Sequence, residues 1–253
     1  ACDDETDVIK KNDDASKADE QSMADEQIEK PSEKGDESAD KKDDKVELTI
    51  ENGTLLSYNG KAAEVIVPDS VEQIGEKAFE NCCTLTRIIL PDSVKSIGER
   101  AFNNCTELSE VELCDGVASI GGYAFSGCNN LSKIIIPQSV KSIGEFAFEF
   151  CKELTTISLP DGMTEISIGL FKECSKLNKV TLSEKTTKIG SYAFSRCTAL
   201  VAIELPNSIT EIGTCAFLMC SKLTEIVVPN KVTEIGEETF SDCEALEKIV
   251  LPK

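Results

Sequence analysis

Apolar and polar positions in this chain alternate on two scales at once. Over short runs such as Leu85-Thr86-Arg87-Ile88-Ile89-Leu90 the spacing predicts a strand: Ile88 and Leu90, two apart, point inward, and Arg87 and Ile89 point outward. Pro91 ends the run, because it has no amide to donate to a ladder. A second extended piece, Ser93 to Gly98, follows, and the stretch from Ala101-Phe102 to Cys105 is expected to be one turn of α- or 3-10 helix. On the longer scale the whole pattern returns every 23 residues. From Pro68 to Leu251 there are eight units without an insertion or deletion, the first PDSVEQIGEKAFENCCTLTRIIL and the second PDSVKSIGERAFNNCTELSEVEL. A strict period of this length predicts a solenoid whose coils bury their apolar sides by stacking on their neighbours.

Some positions do not vary. Phe recurs from Phe79 to Phe240, Leu from Leu85 to Leu246, Ile from Ile74 to Ile235 and Cys from Cys82 to Cys243, each once per unit. Identical coil positions stack into ladders along the axis. Each buried Phe, Leu or Ile contributes roughly 1.5–3 kcal/mol, so three such ladders supply a core for the whole array. The recurring Gly, at 75, 98, 121, 144, 190, 213 and 236, follows the Ile and is expected to permit a tight bend. The fifth unit departs, with Ser167 at the Gly position and Leu170 at the Ala position. The sixth opens Ser183-Glu184-Lys185-Thr186-Thr187 and lacks the Pro. Adjacent departures suggest a local change of curvature or a specialised surface, with drift as the alternative.

Units of this form resemble the leucine-rich repeat signature, and more closely the BspA-like leucine-rich repeat family, whose units look like LxxIxLPxSVxxIGxxAFxxC. The resemblance runs from Val46 to Leu251. It implies a right-handed, β-rich solenoid of short parallel strands and short helical or 3-10 turns. It also implies export, an anaerobic bacterial habitat, and adhesion to host extracellular-matrix proteins, other bacteria or epithelial surfaces.

Composition divides the chain. Residues 1–45 hold no aromatic residue and carry 17 acidic against 8 basic side chains, −9 of the chain's −20. Such a segment cannot bury enough apolar surface to order itself and is expected to be a self-repelling, disordered linker. Residues 46–67, with Asn52-Gly53 and Tyr58-Asn59-Gly60 as turn signals, read as a cap of one or two β-hairpins. Residues 68–253 are the solenoid. The acidic balance argues against nucleic acid and against anionic membrane surfaces as partners. Ala1-Cys2 before an acidic stretch resembles the start of a mature bacterial lipoprotein, so Cys2 is a candidate lipidation site and the only expected link to a membrane. An ordinary tail thiol is the other reading.

No His occurs among the 253 residues, which excludes Ser-His and Cys-His nucleophile pairs. No CxxC motif occurs either, and neither a metal nor a cofactor is expected. Glu110 and Glu112 lie two apart on one strand face but imply no pocket, so an enzyme is not expected. Eight thiols at one coil position would lie parallel and behave as small buried hydrophobes, not as disulfides. Cys114 replaces a Pro and is expected near the surface. Function is sought in the outward strand positions, where residues vary beside constant inward ones: Arg87, Glu110, Lys133, Thr156, Lys179, Ala202, Glu225 and Lys248 in one row, and Ile89, Glu112, Ile135, Ser158, Thr181, Glu204, Val227 and Val250 in the next. Arg87, Ile89, Lys133, Ile135, Lys179, Val227 and Val250 are the candidate ligand face, for a protein ligand. A patch of Val227 and Val250 with Ala202 is one expectation, and β-branched residues kept for strand propensity the other. A structural spacer without a ligand of its own is the alternative function.

Overall fold

The computed structural model describes residues 48–252; Cys2 and the whole acidic segment 1–45 lie outside them. The repeats form stacked coils, numbered here one to eight from Pro68, each with two short strands joined by turns except the sixth, whose longer strand is reduced to a bridge at Ala202. The longer strands of the first five coils belong to one sheet. Its parallel order runs from Glu64–Ile66 through Arg87–Ile89, Glu110–Glu112, Lys133–Ile134 and Thr156–Ser158 to Lys179–Thr181. It resumes as a pair, Glu225–Val227 with Lys248–Val250. The two-residue strands, such as Gln73–Ile74 and Ser96–Ile97, build a second sheet in the same way. Register is in step with the period throughout: Ile88 faces Val111, and Ile97 faces Ile120.

The hairpin expected at the start forms from Leu48–Glu51 and Thr54–Tyr58, turning at Asn52 and Gly53, both at positive φ. A second hairpin at Tyr58-Asn59-Gly60 does not. Instead the Tyr58 hydroxyl accepts the Ala62 amide at 2.8 Å, and the chain leads on to Glu64–Ile66, which pairs in parallel with Arg87–Ile89. This first segment thereby contributes a strand to each sheet.

The core is the predicted set of ladders. Phe79 to Phe217 are fully buried, and successive rings from Phe79 to Phe240 stack with centroids 5.0–5.9 Å apart. Tyr58 caps the ring stack at 5.2 Å from Phe79.

The helical turn expected at Ala101–Cys105 is absent, and the reason lies in the hydrogen bonds. In the first coil Ala78, Glu80 and Cys82 donate back three residues, to Gly75, Lys77 and Phe79, in consecutive turns. The alternate amides of Lys77, Phe79 and Asn81 donate across to Glu99, Ala101 and Asn103 of the next coil. A helix would spend all of these amides within its own coil; here half of them form a third inter-coil ladder. The arrangement requires left-handed backbone at two positions per coil, for example Arg100 (φ 54°) and Asn104 (φ 59°). Each such residue costs on the order of 1 kcal/mol, and the hydrogen bonds to the next coil hold it in place.

The recurring Gly also has a different reason from a bend. Its amide donates to the Ile carbonyl of the previous coil, as Gly121 does to Ile97 at 2.8 Å. A Cβ on Gly121 would lie 2.6 Å from Glu99 N and Gly98 C. Glycine is needed so that backbone can approach backbone.

Candidate binding surface

The outward rows of the long strands form the surface. Arg87 sits on its strand between three carboxylates: Glu64 at 3.0 Å, Glu110 at 3.3 Å, and Glu112. Its two Nη groups donate to Glu64 and Glu112, while Nε, buried, lies 3.3 Å from Glu110 as an ion pair without a hydrogen bond. Ile89 is half-buried between Ile66 and Glu112. Lys248 is paired with Glu225. Lys133 and Lys179 differ: both are exposed, and neither has an ion-pair partner among the described residues.

The apolar candidates also separate. Ile135 is 69% exposed and Val227 52%, whereas Val250 is at 37%. Val227 and Val250 are register partners. Ala202 does not join them, because it bridges to Glu225 in the other row. Ile135 borders a shallow groove of about 410 Å³ lined by Glu110, Val111, Glu112, Lys133 and Ile134. Several exposed aliphatics fall outside the rows compared in the sequence, among them Leu56, Val201 and the most exposed of them, Ile66 at 67%, one coil before the first full repeat.

A second group missed in the sequence lies on the turns. Tyr123 and Phe146 stack at 5.1 Å, Arg100 lies over Tyr123, and Lys172 lies over both Phe146 and Phe150. Lys172 also pairs with Glu149 at 2.8 Å. Gly169 makes room: a Cβ there would be 2.2 Å from the Phe146 ring. The signal in the sequence is a turn position at which the residue changes from coil to coil, Arg100, Tyr123 and Phe146 in successive coils.

The ladder cysteines, Cys82 to Cys243, form no disulfides, but they are not merely small hydrophobes. Each ladder thiol from Cys105 onward donates to the Phe carbonyl of the coil before: Cys105 to Phe79 at 3.0 Å, Cys128 to Phe102 at 3.2 Å, and so on to Cys243 and Phe217. Burial raises the pKa of Cys128, Cys151, Cys174 and Cys197 well above the ordinary 9.0. Cys82, at the first step of the ladder, is lowered by a hydrogen bond with Cys105. Cys114 is buried, not near the surface as expected, with its thiol 3.6 Å from the Val94 carbonyl. Among the described residues no cluster of Cys, Asp and Glu could hold a metal ion, and no helix is long and apolar enough to cross a membrane.

Parallel strands in register at a 23-residue step, with apolar ladders inside, define a leucine-rich repeat solenoid. The family model of the BspA type leucine-rich repeat region matches residues 50–178 and 141–253, and the chain belongs to that family. Such repeats generally serve as non-catalytic scaffolds for protein–protein interaction. Among solved structures, the leucine-rich repeat protein of T. pallidum is similar at 31% identity and a TM-score of 0.50, over 61% of this chain and 87% of that one. A leucine-rich repeat protein of Bacteroides ovatus is similar at 29% identity and a TM-score of 0.50, over 81% and 68%. A leucine-rich cell surface protein of Faecalibacterium prausnitzii shares the fold at 24% identity and a TM-score of 0.53, over 78% and 89%. No curated protein matches.

Proposed function

We propose that the chain is a cell-surface adhesion module that binds a protein ligand, such as a host extracellular-matrix protein, through the outward side of the long-strand sheet. The supporting observation is the contrast within one row: Arg87 and Lys248 are neutralised by neighbouring carboxylates, while Lys133 and Lys179 are exposed and have no ion-pair partner among the described residues, and Ile135 stands bare beside Lys133. Exposed aliphatic and cationic side chains on a rigid sheet suit an acidic, partly apolar protein surface. In this reading residues 1–45 act as a tether, with Cys2 as the lipid-bearing residue, and residues 46–67 cap the array. The B. ovatus and T. pallidum relatives are similar in the same repeat architecture, and the F. prausnitzii protein is described as a cell surface protein.

The test is binding of the full chain to an immobilised panel of matrix proteins, repeated with Lys133→Glu and Ile135→Glu together. Saturable binding that falls at least tenfold in the folded double variant is the expected result. Binding that is unchanged in that variant, or absent from the whole panel, counts against the proposal.

A further inference from the structure

The long-strand sheet is interrupted once, between the fifth and sixth coils. Lys179–Thr181 is the last strand of the six-stranded sheet, and the following coil contributes only the bridge of Ala202 to Glu225 on its far side. A cleft of about 530 Å³ opens there, between Lys179–Glu184 and Ala202–Asn207. It reaches the core. Leu182 and Leu205 are half-buried, as is Leu113 in the paired part of the sheet, whereas Leu90, Leu159 and Val228 are 3–4% exposed.

The walls of the cleft are backbone. Lys179 donates its amide to Thr155, and the Thr181 carbonyl accepts from Leu159, so both point to the fourth coil. By strand alternation Val180 and Leu182 point the other way, into the cleft. Ala202 and Glu204 occupy the positions of Glu110 and Glu112, which point back toward the preceding coil. At some other steps these positions carry inter-coil bonds, such as Leu90 to Glu112 and Leu159 to Thr181, although among the described residues Leu113 and Ile136 make none to Ile135 and Ser158, where the strands nevertheless stay paired. Among the described residues none forms here. At the corner where Pro is usual, the Ser183 hydroxyl donates to Asp161 at 2.9 Å, and Thr186 donates to Met163, both in the preceding coil. Beyond the strands the coils stay joined, by Thr198 to Ser175 on one side and Ser208 to Thr186 on the other.

We infer that this cleft receives an extended segment of a partner polypeptide, which adds to the free edge of Lys179–Thr181 as a parallel or antiparallel strand. A row of unbonded amides and carbonyls is a template for strand addition. The occupant presents an apolar side chain inward, over Leu182 and Leu205, the half-buried leucines that line the cleft. An acidic residue outward meets Lys179. This specifies the kind of partner within the adhesion reading and rests on it for the partner being a protein.

The probe is the capped hexapeptide LTTISL, the chain's own residues 154–159, whose strand already pairs with Lys179–Thr181 on the opposite edge. Added to the full chain, it is expected to slow amide hydrogen exchange at Val180, Leu182 and Ala202 at least tenfold. The same peptide N-methylated at alternate residues has no effect, and Ala202→Trp, at an exposed position, abolishes the slowing with melting unchanged. No slowing at millimolar peptide, or slowing that survives N-methylation, overturns the inference, and the peptide control holds even if the Trp variant does not fold. Matrix-protein binding lost in Lys133→Glu/Ile135→Glu but intact in Ala202→Trp overturns the cleft as the ligand's seat and leaves the adhesion reading standing. Peptide protection with no matrix protein bound does the reverse.

Discussion

From the second coil to the fourth, Gly98, Gly121 and Gly144 each donate to the Ile carbonyl one coil back at 2.8 Å, and the second sheet runs unbroken from Gln73–Ile74 to Ser142–Ile143. At the fifth coil Ser167 replaces the Gly. Its hydroxyl, not its amide, reaches Ile143, and the sheet stops and restarts at Glu165–Ile166. One coil later the long-strand sheet stops as well. Yet the Phe stack crosses both breaks with Phe148–Phe171 at 5.9 Å and Phe171–Phe194 at 5.6 Å. The two regions therefore share a core and differ only in the peripheral ladders. The interior tolerates little change because its density is uniform, whereas a backbone ladder can open wherever one Cβ intrudes.

The largest effect should be the same in both regions. Phe125→Ala in the regular part and Phe194→Ala beyond the breaks should each cost about 3–5 kcal/mol in denaturant unfolding, through cavities in one continuous stack. A much smaller loss for Phe194→Ala would make the later coils a separate, looser unit.

Exchanging the Gly and Ser positions should transfer the break. Gly121→Ala forces a Cβ against backbone and should cost about 1–3 kcal/mol, with faster amide exchange at Ile120 and Gly121. Ser167→Gly loses a hydroxyl bond but relieves the crowding. Its net stability should stay within about 1 kcal/mol of the parent, while slower exchange at residue 167 reports that the second sheet has closed.

The thiol ladder spans both regions and supplies a pH test. Cys128, Cys151, Cys174 and Cys197 are held above the ordinary 9.0 by burial, so the fold favours their protonated form. Their contribution is intact below about pH 9 and is lost as pH rises beyond it. Unfolding free energy should fall between pH 9 and 11, and fall less steeply in Cys128→Ala, which itself costs about 1 kcal/mol at pH 7. Under mild alkylation at pH 8 the half-buried Cys82 should be modified before these four, as read by mass spectrometry. The smallest effect belongs to the surface: Lys248→Ala should change stability by less than about 1 kcal/mol, because its pair with Glu225 is exposed.

Phe79 and Ile88 were legible as core from the period alone, because a residue repeated at one coil position has one environment. The outward direction of Arg87 and Ile135 was legible from strand alternation. The state of Arg87 was not, since its three carboxylates come from three coils and meet only through register. The missing helix was not legible either: Ala101-Phe102 has helical spacing, and only neighbouring carbonyls in reach of Lys77, Phe79 and Asn81 turn those amides outward. Ser167 and Ser183 were visible as departures, but their meaning required the atoms they displace.

What the chain determines by itself is the solenoid, its register and its buried ladders, because a 23-residue period admits one stacking in which every Phe, Leu, Ile and Cys meets its own kind. Which charges are spent and which are free, why Gly is needed, and where a sheet opens were decided only by the tertiary structure. Each of these depends on contacts between coils, where a single methylene or hydroxyl is enough to exchange one hydrogen bond for another.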